Sequence, residues 1–216
     1  GGASTITKAI TQPISKSNPD DVGIFDHQWT YSSVVIGASD PLSDGKLAGV
    51  TQVADVDLSI DLVHTYDGDL GIYLIAPNGS WKTLSYRHGG SSEDYRITTF
   101  DDAAGSYVST NSGPFNSTYR PDHALSGLNG ISPVGVWTLA IHDYAGRDSG
   151  TLFGWTLNLD LRDSYVTSTR TASVPAGILS GSLTDFDIRL NLAHPELDKL
   201  RAVVTEDTTG TSFELF

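Results

Sequence analysis

Val53-Ala54-Asp55-Val56-Asp57-Leu58-Ser59-Ile60-Asp61-Leu62-Val63-His64 is the stretch that decides the fold. Val56, Leu58, Ile60 and Leu62 alternate with Asp55, Asp57, Ser59 and Asp61. Side chains two residues apart share one face of a strand, so this period of two predicts a half-buried β-strand. The polar run His64-Thr65-Tyr66-Asp67-Gly68-Asp69 follows and contains a turn-type Asp-Gly pair. Leu70, Ile72 and Leu74 then resume the alternation, and Pro77-Asn78-Gly79 closes that second strand with another turn.

Further along, Trp137, Leu139 and Ile141 alternate with Thr138, Ala140 and His142. Trp155, Leu157, Leu159 and Leu161 alternate with Thr156, Asn158 and Asp160. The loop Asp143–Gly150 separates the two. Residues 85–135 are rich in turns, and no stretch before residue 165 has a 3.6-residue period. Short strands with frequent turns predict an all-β protein with a jelly-roll-like β-sandwich. Trp137 and Trp155 lie in phase with the apolar faces and are read as core, against a sugar-stacking role. Trp81 follows a turn and is expected on the surface, as are Trp29 and Tyr31.

Residues 1–33 are polar and irregular, with Pro13 and Pro19, and are read as a linker or N-terminal segment. Gly1-Gly2-Ala3-Ser4 is expected to be a domain start rather than a signal peptide. Packing is expected to begin at Val34-Val35-Ile36, so the main module spans 34–162. Residues 163–175 are read as a second linker. Thr184–His194 then repeats the apolar and polar positions of Ala54–His64, including Asp-x-Asp and the histidine. Residues 176–216 are therefore read as a partial repeat of the first motif, a partial second β module, or as a C-terminal β extension. A short helix near Leu197 is the other option.

The chain has 26 acidic and 13 basic side chains, a formal charge of −13. Such a surface repels phosphate backbones, so nucleic acid is excluded as a partner. No apolar run approaches the roughly 20 residues a membrane span needs, so no membrane insertion is expected. Cysteine and methionine are absent, which excludes disulfides and cysteine zinc sites. That composition fits an exported bacterial protein, secreted or at the cell surface.

No catalytic residue emerges. A serine protease needs a nucleophile, a histidine base and an orienting acid. Gly210-Thr211-Ser212-Phe213 matches the subtilisin-type serine motif in three letters only, and His88-Gly89-Gly90 has no Gly-x-Ser-x-Gly partner. His-Glu-x-x-His is also absent. His64, at the end of a buried-type strand, is read as structural. Asp67, Asp69, Asp101, Asp102, Asp143 and Asp148 fall in loops. Aspartates there either cap turns or supply hard oxygen ligands, and calcium is the metal that suits them. The candidate ligand set is Asp67, Asp69, Asp101, Asp102 and Asp143.

The order of motifs resembles the P domain (Homo B domain) of proprotein convertases and related secreted subtilisin-like serine proteases. The resemblance rests on His64-Thr65, Gly68-Asp69-Leu70 and Leu74-Ile75-Ala76-Pro77-Asn78-Gly79. Phe100–Ala104, Tyr119-Arg120-Pro121 and Leu125–Gly130 match its middle segments. Gly135-Val136-Trp137-Thr138-Leu139, Asp143, Gly150-Thr151-Leu152 and Trp155 match its closing signature. It implies a jelly roll that sits C-terminal to a subtilisin-like catalytic domain in the same parent chain. There it helps to fold, stabilise and regulate that domain, often with calcium. His64, Asp69, Leu70, Pro77, Gly79, Trp137, Asp143, Gly150 and Trp155 would be its structural motif, with Asp69 and Asp143 the preferred pair. Two other readings remain open here. One is a cell-surface or extracellular binding and adhesion module in a multidomain array. The other is the accessory domain of a secreted metalloprotease.

Overall fold

The computed structural model describes residues 11–38, 40, 51–163, 203–205 and 212–214. The chain divides into two compact units, Ala9–Tyr165 and a second made of Gly1–Lys8 with Val166–Phe216. In the second, the described residues are two antiparallel strands, Val203–Thr205 and Ser212–Glu214. The expected repeat at 184–194 and nearly all of the expected 163–175 linker lie outside the described residues.

The first unit is all β. In chain order its strands are β1 Thr11–Asn18, β2 Val22–Phe25, β3 Trp29–Ile36, β4 Thr51–His64 and β5 Leu70–Ile75. They continue with β6 Trp81–Tyr86, β7 Tyr95–Phe100, β8 Thr118–Tyr119, β9 Gly135–Asp143 and β10 Ser149–Asp163. One sheet runs β1-β10-β4-β7-β8, with β2 also on β10. The other runs β3-β9-β5-β6. The alternation at 56–62 points its apolar side chains inward. Val56, Leu58, Ile60 and Leu62 are buried with Leu157, Leu159 and Leu161 of β10 on the same sheet. Ile72, Leu74, Trp137, Leu139 and Ile141 face them from the other sheet and complete one core.

Residues 11–33, part of the stretch read from sequence as a linker or N-terminal segment, carry β1, β2 and most of β3. Among Pro13–Asn18 only Ile14 enters the core, and β1 is held by an eight-residue ladder to β10. Backbone hydrogen bonds do not depend on side chain, which is why a polar segment still forms an edge strand. β4 and β5 do not form a hairpin. They belong to different sheets, and Tyr66–Asp69 carries the chain from one layer to the other.

Both core tryptophans satisfy their indoles. Trp137 Nε1–H donates to Pro133 O at 2.9 Å, and Trp155 Nε1–H reaches Ser32 Oγ across the sandwich at 2.9 Å. Gly79 closes the β5–β6 turn with φ +81, a conformation other residues adopt only with strain.

The two outer faces differ. The β10-β4-β7 face carries Asp55, Asp57, Asp61, Asp160 and Arg96 among paired hydroxyls and amides. Asp57 lies close enough to Asp101 to share a proton. Burial, then the charges of Asp101, Asp55 and Asp160, push its carboxyl up to about 6. The unfolded chain releases that proton near the ordinary value of about 4, so the fold holds it more tightly between those values. Stability therefore falls as pH rises through that window. We expect the fall in Tm from pH 4.5 to pH 7.5 to be smaller in Asp57→Asn, measured by calorimetry in chelator. An unchanged or larger fall would remove Asp57 as its source.

Candidate functional site

The rim where β4 crosses to β5 gathers most of the sequence-predicted residues. His64 ends β4 in one sheet, and Asp143 ends β9 in the other. Both side chains are fully buried, and His64 Nε2–H donates to Asp143 Oδ2 at 3.3 Å. His64 Nδ1 faces the peptide groups of Tyr66, within 3.0 Å of its oxygen and 3.2 Å of its nitrogen. Asp143 Oδ1 accepts from the Ala145 N–H at 3.0 Å. The two sheets are thus tied at this rim through one imidazole. Gly150 belongs to the same arrangement, because a Cβ there would stand 2.7 Å from His64 Cδ2.

Asp69 is also buried at this rim, and Tyr144 N–H donates to its main-chain oxygen at 2.8 Å. Burial raises its carboxyl above the usual range, with Asp143 and Asp148 adding repulsion and Arg87 and His64 opposing it. Asp148 accepts from Thr65 Oγ1 at 3.0 Å. Asp67 is fully buried beneath the Gly89–Asp94 loop, and neither carboxylate oxygen has a hydrogen-bond partner among the described residues. Burial pushes it up to about 7; the nearby Asp94 main-chain N–H opposes the rise, and the charges of Asp94 and Glu93 add to it.

Of the five aspartates read as calcium ligands, Asp67, Asp69 and Asp143 share this rim, while Asp101 and Asp102 do not. Asp102 accepts the Leu125 and Ser126 N–H groups at 2.9 and 2.8 Å. Asp101 accepts from Ala103 N–H and faces Asp57. Asp57 and His64 are seven residues apart on β4, about 23 Å at 3.3 Å per residue. The pair caps turns at the other end of the sandwich. Among the described residues no group of three carboxylate or imidazole side chains forms a ready metal cage.

Leu70, Trp137 and Trp155 of the expected motif are core, and Pro77 and Gly79 shape the β5–β6 turn. Among the described residues the hydrogen-bond partners of the His64 ring are Tyr66 and Asp143.

A second feature was only partly legible. The outer face of β3-β9-β5-β6 presents Trp29, Tyr31, Val35, Tyr73, Trp81, Val136 and His142 and no acidic or basic side chain other than that imidazole. Trp29 contacts Tyr31, Tyr73, Trp81 and His142 at ring-centre distances of 4.6 to 5.9 Å. Tyr73 and Tyr144 hydroxyls meet at 3.0 Å. Burial lowers the His142 pKa below the ordinary imidazole value, with the charge of Asp143 opposing it. Trp29, Tyr31 and Trp81 are 40, 54 and 48 % exposed, so a linked aromatic patch faces solvent. Inverted polarity at the start of β3 hid it: small Thr30 and Ser32 point in while the rings of Trp29 and Tyr31 point out.

His64→Ala leaves Asp143 buried without its side-chain donor and opens a cavity, at a cost of about 3 kcal/mol. We expect Tm to fall by roughly 6–12 °C in a domain of this size. His88→Ala, which breaks the more exposed His88–Asp122 contact, should move it by less than about 3 °C. Equal shifts in the two variants would contradict the structural role of His64.

With this geometry in view, comparisons with known proteins are informative. Leupeptin-inactivating enzyme 1 of Streptomyces exfoliatus is 29 % identical over 143 residues, covering 65 % of this chain and 25 % of that protein. A calcium-dependent protease of Trichormus variabilis is 30 % identical over 142 residues, covering 64 % of this chain and 17 % of that protein. The chain thus spans a quarter or less of the length of these relatives. A solved structure of the serine protease of Aeromonas sobria aligns at 17 % identity and TM-score 0.45, over 74 % of this chain and 28 % of that one. The sequence model described as proprotein convertase P-domain matches residues 53–159, the span that holds both strands of the rim and the closing tryptophans. This chain carries a P domain and belongs, through residues 53–159, to the proprotein convertase P-domain family.

Proposed function

We propose that this module is the non-catalytic accessory domain of a secreted subtilisin-like serine endopeptidase, which it helps to fold, stabilise and regulate, with calcium taking part. The observation that carries this reading is the uncharged aromatic face of β3-β9-β5-β6. In a chain of formal charge −13, one whole outer face lacks acidic groups and exposes linked tryptophans and tyrosines. Aromatic clusters depleted of charge are the composition of interface centres. The proposed occupant is the catalytic domain of the same parent chain. Packing onto the folded form of that domain alone stabilises it by mass action. His64 has both ring nitrogens committed to the Tyr66 peptide groups and Asp143, which supports a structural part for it.

Calcium enters because the rim holds buried carboxylates, and because two relatives carry the name calcium-dependent protease. A second reading, a binding module in an extracellular array, has one observation in its favour: the chain continues past residue 165 into a second compact unit.

The test uses the full parent gene product with Trp29→Ser and Trp81→Ser combined. Each removes an exposed ring, so the isolated 216-residue chain should keep its Tm within a few degrees. Proteolytic activity of the parent should decay about tenfold faster on heating, the factor expected for about 1.4 kcal/mol of lost docking. That activity should yield to serine-directed inhibitors. Unchanged decay, with the variant instead losing binding to an external glycan or protein, would favour the array reading.

A further inference from the structure

We propose that Arg147 orients the docking of the aromatic face by taking a carboxylate on the surface of the catalytic domain. This deepens the docking reading given above and rests on it for the identity of the partner.

The first observation is the backbone of Arg147. Its φ is +85, in the left-handed region. A glycine would sit there freely, and a side chain there costs energy that the surrounding structure must supply. Such residues gather at binding sites, where the side chain is wanted in that place. Asp26 supplies the restraint. Its Oδ2 accepts the Arg147 N–H at 2.8 Å and its Oδ1 accepts the Asp148 N–H at 3.2 Å. The Arg147 N–H is the main cause that holds the Asp26 carboxyl below the usual range. Asp26 is itself bridged through its main chain to Asp143. The loop is thus fixed while the Arg147 side chain is exposed.

The second observation is that its guanidinium is uncommitted. Among the described residues Lys16 pairs with Asp40 and Arg96 with Asp61, and Arg147 has no carboxylate partner. The acidic groups beside it are already in use. Asp26 holds the two N–H groups, and Asp148 Oδ1 accepts from Thr65 Oγ1 at 3.0 Å. Arg87, also left-handed with φ +58, differs in this respect. Its Nε–H goes to Gly68 O at 3.2 Å, and its charge acts on Asp69.

The third observation is position. The loop that presents Arg147 starts inside the aromatic layer. Tyr144 meets His142 and Tyr86 at ring-centre distances of 4.2 and 5.5 Å, and its hydroxyl meets that of Tyr73. On the other side, Asp26 stands three residues before Trp29. Arg147 therefore borders a face that lacks acidic side chains, in a chain of formal charge −13. Interfaces keep charge out of their centres and place it at the rim, where it sets orientation and association rate. The planar fork of arginine matches a carboxylate, so the complementary surface is apolar with an acidic group at one border.

The test uses the full parent protein, with activity followed during heating at about 20 mM and about 500 mM sodium chloride. Arg147→Gly keeps the left-handed backbone, so the isolated 216-residue chain should hold its Tm within a few degrees. The parent carrying it should lose activity about threefold faster at low salt and at the wild-type rate at high salt. Arg147→Glu, which sets like charges against each other, should decay faster still at low salt. Arg162→Glu, at the far end of β10, changes the net charge equally and should behave as wild type. The Trp29→Ser, Trp81→Ser variant is run in parallel. If it decays faster while both Arg147 variants match wild type at low salt, the anchor is overturned and docking through the face stands. If none of these variants decays faster, both fall. A drop in Tm of the isolated Arg147→Gly chain that accounts for its faster decay would also overturn the anchor, since Arg147 would then serve only its own loop.

Discussion

One buried polar contact between the layers sets the rim of the sandwich. His64 closes one sheet and Asp143 closes the other, and the hydrogen bond between them fixes where the sheets meet. A buried imidazole with polar partners on both sides is fully satisfied only in one arrangement, so it specifies register as well as adding stability. Gly150 lets β10 approach the ring, and Asp67-Gly68-Asp69 crosses between layers directly beside it. The polar His64–Asp69 run is therefore a joint between sheets. Its aspartates are buried because the joint is, which is why their carboxyl groups are shifted upward.

The same sandwich separates its charges by face. β4 and β10 turn their apolar side chains inward and leave aspartates, hydroxyls and amides to the solvent on one outer surface. On the opposite surface the alternation of β3, β5 and β6 brings out rings and removes charge. Partial burial and the charges of Asp101, Asp55 and Asp160 raise the Asp57 carboxyl, so stability is lost as Asp57 ionises. The aromatic face has the reverse logic, since its exposed rings gain only when covered. An acidic module with one such face is suited to sit beside a larger partner while remaining soluble on its free side.

Legibility in the sequence followed the strength of the side-chain signal. β4, β5, β9 and β10 are readable because each alternates apolar and polar residues over the core, and Trp137 and Trp155 fall in phase with them. β1 is not readable, since only Ile14 of Pro13–Asn18 enters the core and its ladder to β10 is made of backbone groups. In β3 the rings of Trp29 and Tyr31 alternate visibly, yet the buried positions are Thr30 and Ser32, the latter needed by the Trp155 indole. At the rim, His64, Asp69 and Asp143 were legible from their order in the chain. The grouping of Asp101 and Asp102 with them was not sound, because composition does not report which end of a 14-residue strand a loop occupies. Asp67 was legible as an acidic loop residue. Its burial without partners was not, since that depends on Gly89 and Gly113 closing from elsewhere in the chain.

The central claim is that the module docks through one face of one sheet. Hydrogen–deuterium exchange compared between the isolated 216-residue chain and the full parent protein reads this directly. The account predicts added protection in the parent at Trp29–Ile36, Leu70–Tyr86 and Gly135–Asp143, with the outer residues of β1, β4 and β10 unchanged. Protection that is equal on both sheets, or confined to the acidic face, would contradict it.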